Sequence, residues 1–354
     1  MQIDSAVRKS ILKSISLSLL IYTLPVALLF LTYSLRGQHP WLNPLSANQA
    51  RWLGHWNEYG ITAFMLVLGV AEFVAGLYDR ERWDGNERLT DLVCFAFPLI
   101  VVRPFFTYFG LKVLPFLLPG LKNVFAWVPF WWGFFILCIA DDLTQYWYHR
   151  LHHQLPWLWR FHRTHHSAPY MGMSMASRQN AFYTIFFSQI YVTSALVYLG
   201  LGPAALIVHA LKSMITTLAH SSIPWDKPFY ENRILRPIAW VLERVISTPA
   251  THHAHHAATT DDGVGYYKGN FGNMFFLWDV IFGTAHISRQ YPAAYGISHY
   301  QRDQWYAQFL WPVFKSKVPG SELAADGPMV REDMSSPVGL REIALERLST
   351  SVTA

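Results

Sequence analysis

Ten of the sixteen histidines in this chain fall into two short stretches, and their spacing restricts the fold more than anything else in the sequence. The first stretch, DDLTQYWYHRLHHQLPWLWRFHRTHH, runs from Asp141 to His166. It holds His149, His152, His153, His162, His165 and His166. The second, THHAHH, holds His252, His253, His255 and His256. His149 and His153 are spaced H-x-x-x-H. His162, His165 and His166 form H-x-x-H-H, and His252, His255 and His256 repeat it. Residues i, i+3 and i+4 share one face of a helix. Each triplet is therefore expected on a helix, aiming its imidazoles at one point. Neutral imidazole is the commonest protein ligand of first-row transition metals. Eight converging imidazoles exceed the four that a tetrahedral zinc takes, and suit two metal ions. His152 and His253 abut the pattern without belonging to it, and are expected to be neighbours rather than ligands.

The rest of the chain reads as a membrane protein. Its 354 residues are 52% hydrophobic and only 14% charged, where soluble domains carry about 25% charged residues. The net charge of +5 fits anionic lipid headgroups, and no basic run or motif points to nucleic acid. Cys94 and Cys138 lie in apolar segments, too few for a disulfide framework, and read as packing residues.

In chain order, Arg8, Lys9 and Lys13 precede an apolar run from about Ile15 to Leu35, too long for a signal peptide and expected to span. A Trp-rich segment, 36–58, with Trp41, Trp52 and Trp56 beside His39 and His55, suits the membrane interface. Ile61–Leu77 is a second span, followed by the charged loop YDRERWDGNER. Leu92–Leu118, interrupted by Pro98, Arg103 and Pro115, is either one kinked helix or a re-entrant piece. Val124–Ala140 is expected to span and continue into the first histidine stretch. An apolar hairpin is expected over 181–199 and 202–219, ending at His220. Residues 224–247 read as amphipathic and interfacial through Trp225, Phe229, Tyr230 and Trp240. The polar tail, from about Lys315 to Ala354, is expected to be peripheral or mobile, with a short amphipathic helix at 339–348. Positive-inside bias places the N-terminus, the 79–88 loop and, after four spans, the histidines in the cytoplasm.

The histidine stretches and their flanks resemble the sterol desaturase and fatty acid hydroxylase superfamily over about residues 130–290. The first box of that family has Asp142, Tyr146, Trp147, His149, Arg150 and His153 in register. The second is His162, His165 and His166. The third is His252, His255 and His256, preceded by Thr248-Pro249 and followed by NFG at 270–272 and WDVIFGT at 278–284. The resemblance implies an all-α, multi-pass membrane helical bundle with a cytoplasmic histidine-rich di-metal cap. It implies a membrane region at 1–120, a catalytic domain at 121–290 and a polar tail at 291–354.

The resemblance further implies two non-haem iron ions and O2, acting on a fatty acyl, sterol or related lipid in a bacterial inner membrane or endoplasmic reticulum. Hydroxylation is the leading outcome, and desaturation uses the same site. Inserting oxygen into an unactivated C–H bond needs an oxidant that side chains cannot supply. The catalytic and metal-binding set is His149, His153, His162, His165, His166, His252, His255 and His256. His220, ahead of Ser221 at the end of an apolar arm, joins it as a ninth ligand. Where many members carry Arg-x-His-Pro, this chain has Arg178, Gln179 and Asn180, so one possible ligand is missing. Asp142 is expected to fix the tautomer of a ligating imidazole, and Asp261 and Asp262 to form a solvated turn. His209, His286 and His299 are left outside the set.

No haem-binding cytochrome b5 pattern or dinucleotide fingerprint is present, so electrons are expected from a separate cytochrome b5-, ferredoxin- or reductase-like protein. A non-redox metal protein is the contrasting class. A transporter would carry polar residues along several spans, and a zinc hydrolase would need a general base such as that of H-E-x-x-H, which is absent.

Overall fold

The computed structural model describes residues 5–35, 46–75, 84–298 and 302–329. His39, Trp41, the first part of the charged loop, His299 and the 339–348 segment lie outside them, as do the side chains of His55 and Trp56. The described residues are helical, with no β-strand among them. The chain divides into two compact units that interleave along the sequence.

One unit comprises Met1–Gly69, Leu99–Tyr148 and Phe187–Ile215. Its first helix, Ser5–Leu35, contains Pro25, and from Ile11 it is long and apolar enough to cross a membrane. Leu19, Leu20 and Phe30 face outward. A helix that turns its apolar side chains out suits lipid rather than water. Several of its polar groups are bonded. Ser18 Oγ donates to Ser14 O at 2.8 Å and accepts from Trp147 Nε1 at 2.6 Å, while Tyr22 and Thr144 hydroxyls meet at 2.8 Å. Lys212 pairs with Asp141, lies 3.5 Å from Asp142 and also meets Gln189. These partners let a charged group sit buried among apolar helices.

Among the described residues, three helical runs are long and apolar enough to span: Ile11–Leu35, Gly85–Leu117 and Ala181–His220. The sequence leads one to expect more, and the second expected span, Ile61–Leu77, ends outside the described residues. Val124–Ala140 is helical only from Phe130, and that helix continues to Gln154 through polar residues. Tyr59–Val74 is apolar but shorter. The stretch broken by Pro98 and Pro115 is one helical run, with wide π turns at Pro98–Val102 and Phe109–Val113. Proline removes a helix donor, and a wider turn accommodates the loss. The expected turn after residue 199 centres on Gly200, at φ 117°. A Cβ there would lie 2.6 Å from Ala126 N, so only glycine fits.

The other unit comprises Val70–Pro98, His149–Phe186 and Thr216–Ala354. Several of its helices are short and carry proline in the first turn, where the missing N–H costs nothing. Pro156 opens Pro156–His166, and Pro249 opens Pro249–His255 behind a Thr248/Thr251 capping box. Trp159, Phe271, Phe276 and Leu323 are buried in this unit, as are the histidines of the three boxes. The described end of the chain is not peripheral. Arg163 pairs with Asp303 at 2.7 Å and Glu322 at 3.1 Å. Trp159 Nε1 donates to Glu322 at 2.9 Å, and Thr164 Oγ1 to Gln308 O at 2.7 Å. Residues 303–322 thus fasten the second histidine helix, and burial of these charges is offset by full pairing.

Candidate metal centre

The sequence-selected histidines all fall in the second unit, and the structure collects nine of them into two groups. His149, His153, His162, His166 and His255 form one; His165, His220, His252 and His256 form the other. Within each group the nearest ring nitrogens lie within 4.8 Å of one another. None of the nine is more than 5% exposed. His149 and His153 come from the last turns of Phe130–Gln154, and His220 ends Gly202–His220. The two H-x-x-H-H triplets do not each aim at one point, as the helical spacing suggests. His162 and His166, at i and i+4, join one group while His165 joins the other, and His255 parts from His252 and His256. Each short helix therefore serves both groups.

The protons on the rings decide what these groups can bind. A backbone carbonyl only accepts. The Nδ1 of His149 faces Phe271 O at 2.6 Å, and that of His255 faces Gly269 O at 2.8 Å. Both neutral rings therefore carry the proton on Nδ1 and a lone pair on Nε2. Yet the two Nε2 atoms stand 3.2 Å apart. No proton is left to bridge them, so two lone pairs confront each other. The second group repeats the arrangement. His165 Nδ1 faces Arg178 O at 3.2 Å and His220 Nδ1 faces Thr216 O at 2.7 Å, with their Nε2 atoms 3.2 Å apart. A cation between the nitrogens resolves both contacts. Imidazole ligands at about 2.0–2.1 Å and at right angles around one ion stand about 3 Å apart. The Nε2 separations of His149 from His153 and of His252 from His220, both 2.9 Å, match as well. Both ring nitrogens of His162 are buried without a hydrogen-bond partner among the described residues. The donor set fits one transition-metal ion per group.

Electrostatics keeps the rings in their ligating form. Burial pushes the imidazolium of His149 down to about 3. It holds His153, His162, His165, His166, His252, His255 and His256 well below the usual histidine value, with repulsion among the rings adding to it. A charged imidazolium in so dry a cluster is costly, so the rings stay neutral and coordinating at ordinary pH.

The residues that aim the rings were only partly visible beforehand. Carbonyls of Phe271 and Gly269, both near the NFG motif, hold His149 and His255. Asp279, from WDVIFGT, shapes that loop. It accepts from Phe271 N at 2.9 Å, Gly272 N at 2.7 Å and Thr284 Oγ1 at 2.6 Å. Its burial raises its pKa to about 7 in spite of these donors. A Cβ on Gly269 would lie 2.0 Å from Thr284 O, so the loop needs glycine there. Asn270 Nδ2 ties the same loop to Thr251 O and His286 O, each at 2.8 Å.

Arg178, noted in the sequence for the histidine missing near it, is fully buried. Its guanidinium meets Glu87 at 2.6 Å, Asp91 at 2.8 Å and Thr164 O at 3.0 Å. Its own carbonyl is the one that takes His165. Glu72 was not singled out by sequence. It accepts from Ser221 Oγ at 2.7 Å and Ser222 N at 3.0 Å, directly after His220. A lone carboxylate closing an apolar helix was the available signal.

Among the described residues, those excluded by sequence lie outside both groups. His253 uses both nitrogens, Nδ1 with Tyr295 Oη at 2.9 Å and Nε2 with Ser221 O at 3.1 Å. His152 packs against Tyr183, and His286 stacks on Tyr266. Asp142 lies near Lys212 in the first unit. The partners of the His149, His165, His220 and His255 Nδ1 atoms are backbone carbonyls, not the expected carboxylate. Asp262 accepts from Val264 N, Gly265 N and Ala293 N, the expected turn.

Comparison with known proteins finds similarity over the stretch that carries these histidines. Residues 134–284 match the family described as fatty acid hydroxylase. The chain is 27% identical to an alkylglycerol monooxygenase of Homo sapiens over 170 residues, covering 48% of this chain and 34% of that protein. It is 30% identical over 185 residues to the alkylglycerol monooxygenase of Danio rerio, covering 51% and 36%. A cholesterol 25-hydroxylase-like protein of Danio rerio is 25% identical over 158 residues, covering 44% and 56%. The chain thus spans about a third of the length of the first two relatives. No solved structure matches it significantly. The segment that matches the fatty acid hydroxylase family contains all nine grouped histidines, and over it the chain is similar to that family.

Proposed function

We propose that the chain is a membrane oxygenase that uses O2 and two non-haem iron ions to hydroxylate a lipid. One ion is held by His149, His153, His162, His166 and His255, the other by His165, His220, His252 and His256. The observation that carries this reading is the pair of Nε2–Nε2 contacts, one in each group, that only a cation relieves. When bound, the ions supply the oxidant that side chains lack.

The chain's own part is to hold and to exclude. Carbonyls of Phe271, Gly269, Arg178 and Thr216 keep protons on Nδ1 and leave Nε2 free to coordinate. Such outer partners orient the rings and raise their basicity. Burial of all nine rings keeps bulk water from the groups. Three helices long and apolar enough to cross a membrane suit an apolar substrate. Similarity to alkylglycerol monooxygenases and to a cholesterol 25-hydroxylase-like protein supports a lipid as the molecule hydroxylated. Electrons come from a separate protein donor, and the histidine side faces the cytoplasm by the positive-inside tendency.

The test is lipid mass spectrometry on cells with and without the protein, grown under 18O2. A lipid that gains one labelled oxygen only when the protein is present is the expected result. A species lighter by two hydrogens, with no oxygen gained, would replace hydroxylation by desaturation. No changed lipid would overturn the reading.

A further inference from the structure

The sequence places an interfacial face over the whole of 224–247, carried by four aromatic residues. The structure redistributes it. Tyr230 turns inward, its hydroxyl donating to Asp226 at 2.9 Å, and Trp225 Nε1 donates to Leu218 O at 3.0 Å. What faces outward is the helix Arg236–Val245, and it does so the wrong way round for a water-soluble protein. Its inner side buries Ala239 and Glu243, and Glu243 is paired by Arg244 at 2.6 Å and Arg289 at 2.7 Å. Its outer side shows Ile238, Val241 and Val245 at i, i+3 and i+7, with Trp240 beside them, each exposed. Ile234, one turn earlier, is 83% exposed.

The helix Leu277–Phe282 packs against it and has the same inversion. Trp278 and Asp279 are buried, while Leu277, Val280 and Ile281 are exposed. Water penalises a surface built this way. Around it stand Arg233 and Arg236, exposed, and Arg244, whose guanidinium lies 4.4 Å from the Trp240 ring. Apolar side chains flanked by arginine, with a tryptophan at the border, suit the headgroup zone of an anionic bilayer.

We infer that the outer faces of Arg236–Val245 and Leu277–Phe282 form a second lipid-contacting surface, on the unit that carries the histidines and apart from the spanning helices. The surface seats in the headgroup zone of a bilayer containing anionic lipid. The inference rests on the reading of the chain as a membrane protein. It adds that part of the WDVIFGT motif, by sequence a flank of the third box, presents Val280 and Ile281 to lipid while Asp279 shapes the loop behind.

The test uses the full chain in nanodiscs of phosphatidylcholine with phosphatidylglycerol. A nitroxide is placed singly at Val241→Cys, Ile281→Cys, Glu231→Cys and Leu111→Cys, with the unsubstituted chain as background. Leu111 is an exposed position within the span Gly85–Leu117. Collisions with O2, which enters lipid, are compared with those of a water-soluble nickel chelate. Labels at 241 and 281 are expected to favour O2, as at 111, while the label at 231 favours nickel. Labels at 241 and 281 that favour nickel while 111 favours O2 would overturn the surface and leave the membrane reading intact. Exclusion of both reagents from 241 and 281 would also overturn it, because protein would then cover the face. A label at 111 that favours nickel would sink the membrane reading itself, and the inference with it.

Discussion

His165 and His253 are both buried histidines in or beside a box, and they differ in what their ring nitrogens face. Each nitrogen of His253 has a conventional partner in Tyr295 or Ser221. His165 has one carbonyl and one confronting lone pair. His165→Ala is therefore expected to lower the bound metal by about one ion per chain, read by elemental analysis. His253→Ala is expected to keep both ions, with activity reduced by no more than the roughly 10–100-fold typical of outer residues. Loss of an ion from His253→Ala would mean that its hydrogen bonds are not its role. The metal-free protein has a pH signature. The buried rings titrate below the ordinary histidine value, His149 and His253 at about 3. In the unfolded chain they take up protons near 6.5. Between those values the unfolded state binds more protons, so stability falls as pH drops below about 6.5. Thermal unfolding in detergent with a chelator should show its midpoint falling steadily from pH 7 to pH 5. A flat midpoint would contradict neutral buried rings.

Among the elements, what the sequence disclosed follows from period and punctuation. Spacings of three and four put the box histidines on helices, and Pro156 and Pro249 mark where two of those helices begin. The division of each triplet between two groups was hidden, because it depends on how several short helices meet rather than on any one of them. The carbonyl partners were hidden for a related reason, since every residue has a carbonyl. The anchoring of the second box by 303–322 was missed because Asp303, Gln308 and Glu322 sit in a polar segment with no periodicity. That anchor is testable. Arg163 and Asp303 are both almost fully buried. Removing one partner of such a pair costs about 3–5 kcal/mol, so Arg163→Met should lower unfolding stability by that order in denaturant titration. A loss below about 1 kcal/mol would mark the pair as no stronger than a surface one. Arg178→Lys should impair the four-histidine group more than the other, because lysine cannot reproduce the fork onto Glu87, Asp91 and Thr164 O. A single perturbed iron signal in the Mössbauer spectrum would show it. Equal loss at both ions would assign Arg178 to general stability.

At the scale of the molecule, composition pointed to a membrane protein of helices, and among the described residues three runs are long and apolar enough to span. Hydropathy alone cannot separate a lipid-facing helix from one such as Phe130–Gln154, which leaves its apolar beginning for buried acids and histidines. The account as a whole stands on the two histidine groups each holding an ion. The most direct measurement is elemental analysis of the purified full chain beside two variants, one from each group. The account predicts about two iron ions in the unsubstituted chain, and about one in both His162→Ala and His165→Ala, with protein recovered from the membrane in similar amount. A single ion in the unsubstituted chain, undiminished by either substitution, would contradict it.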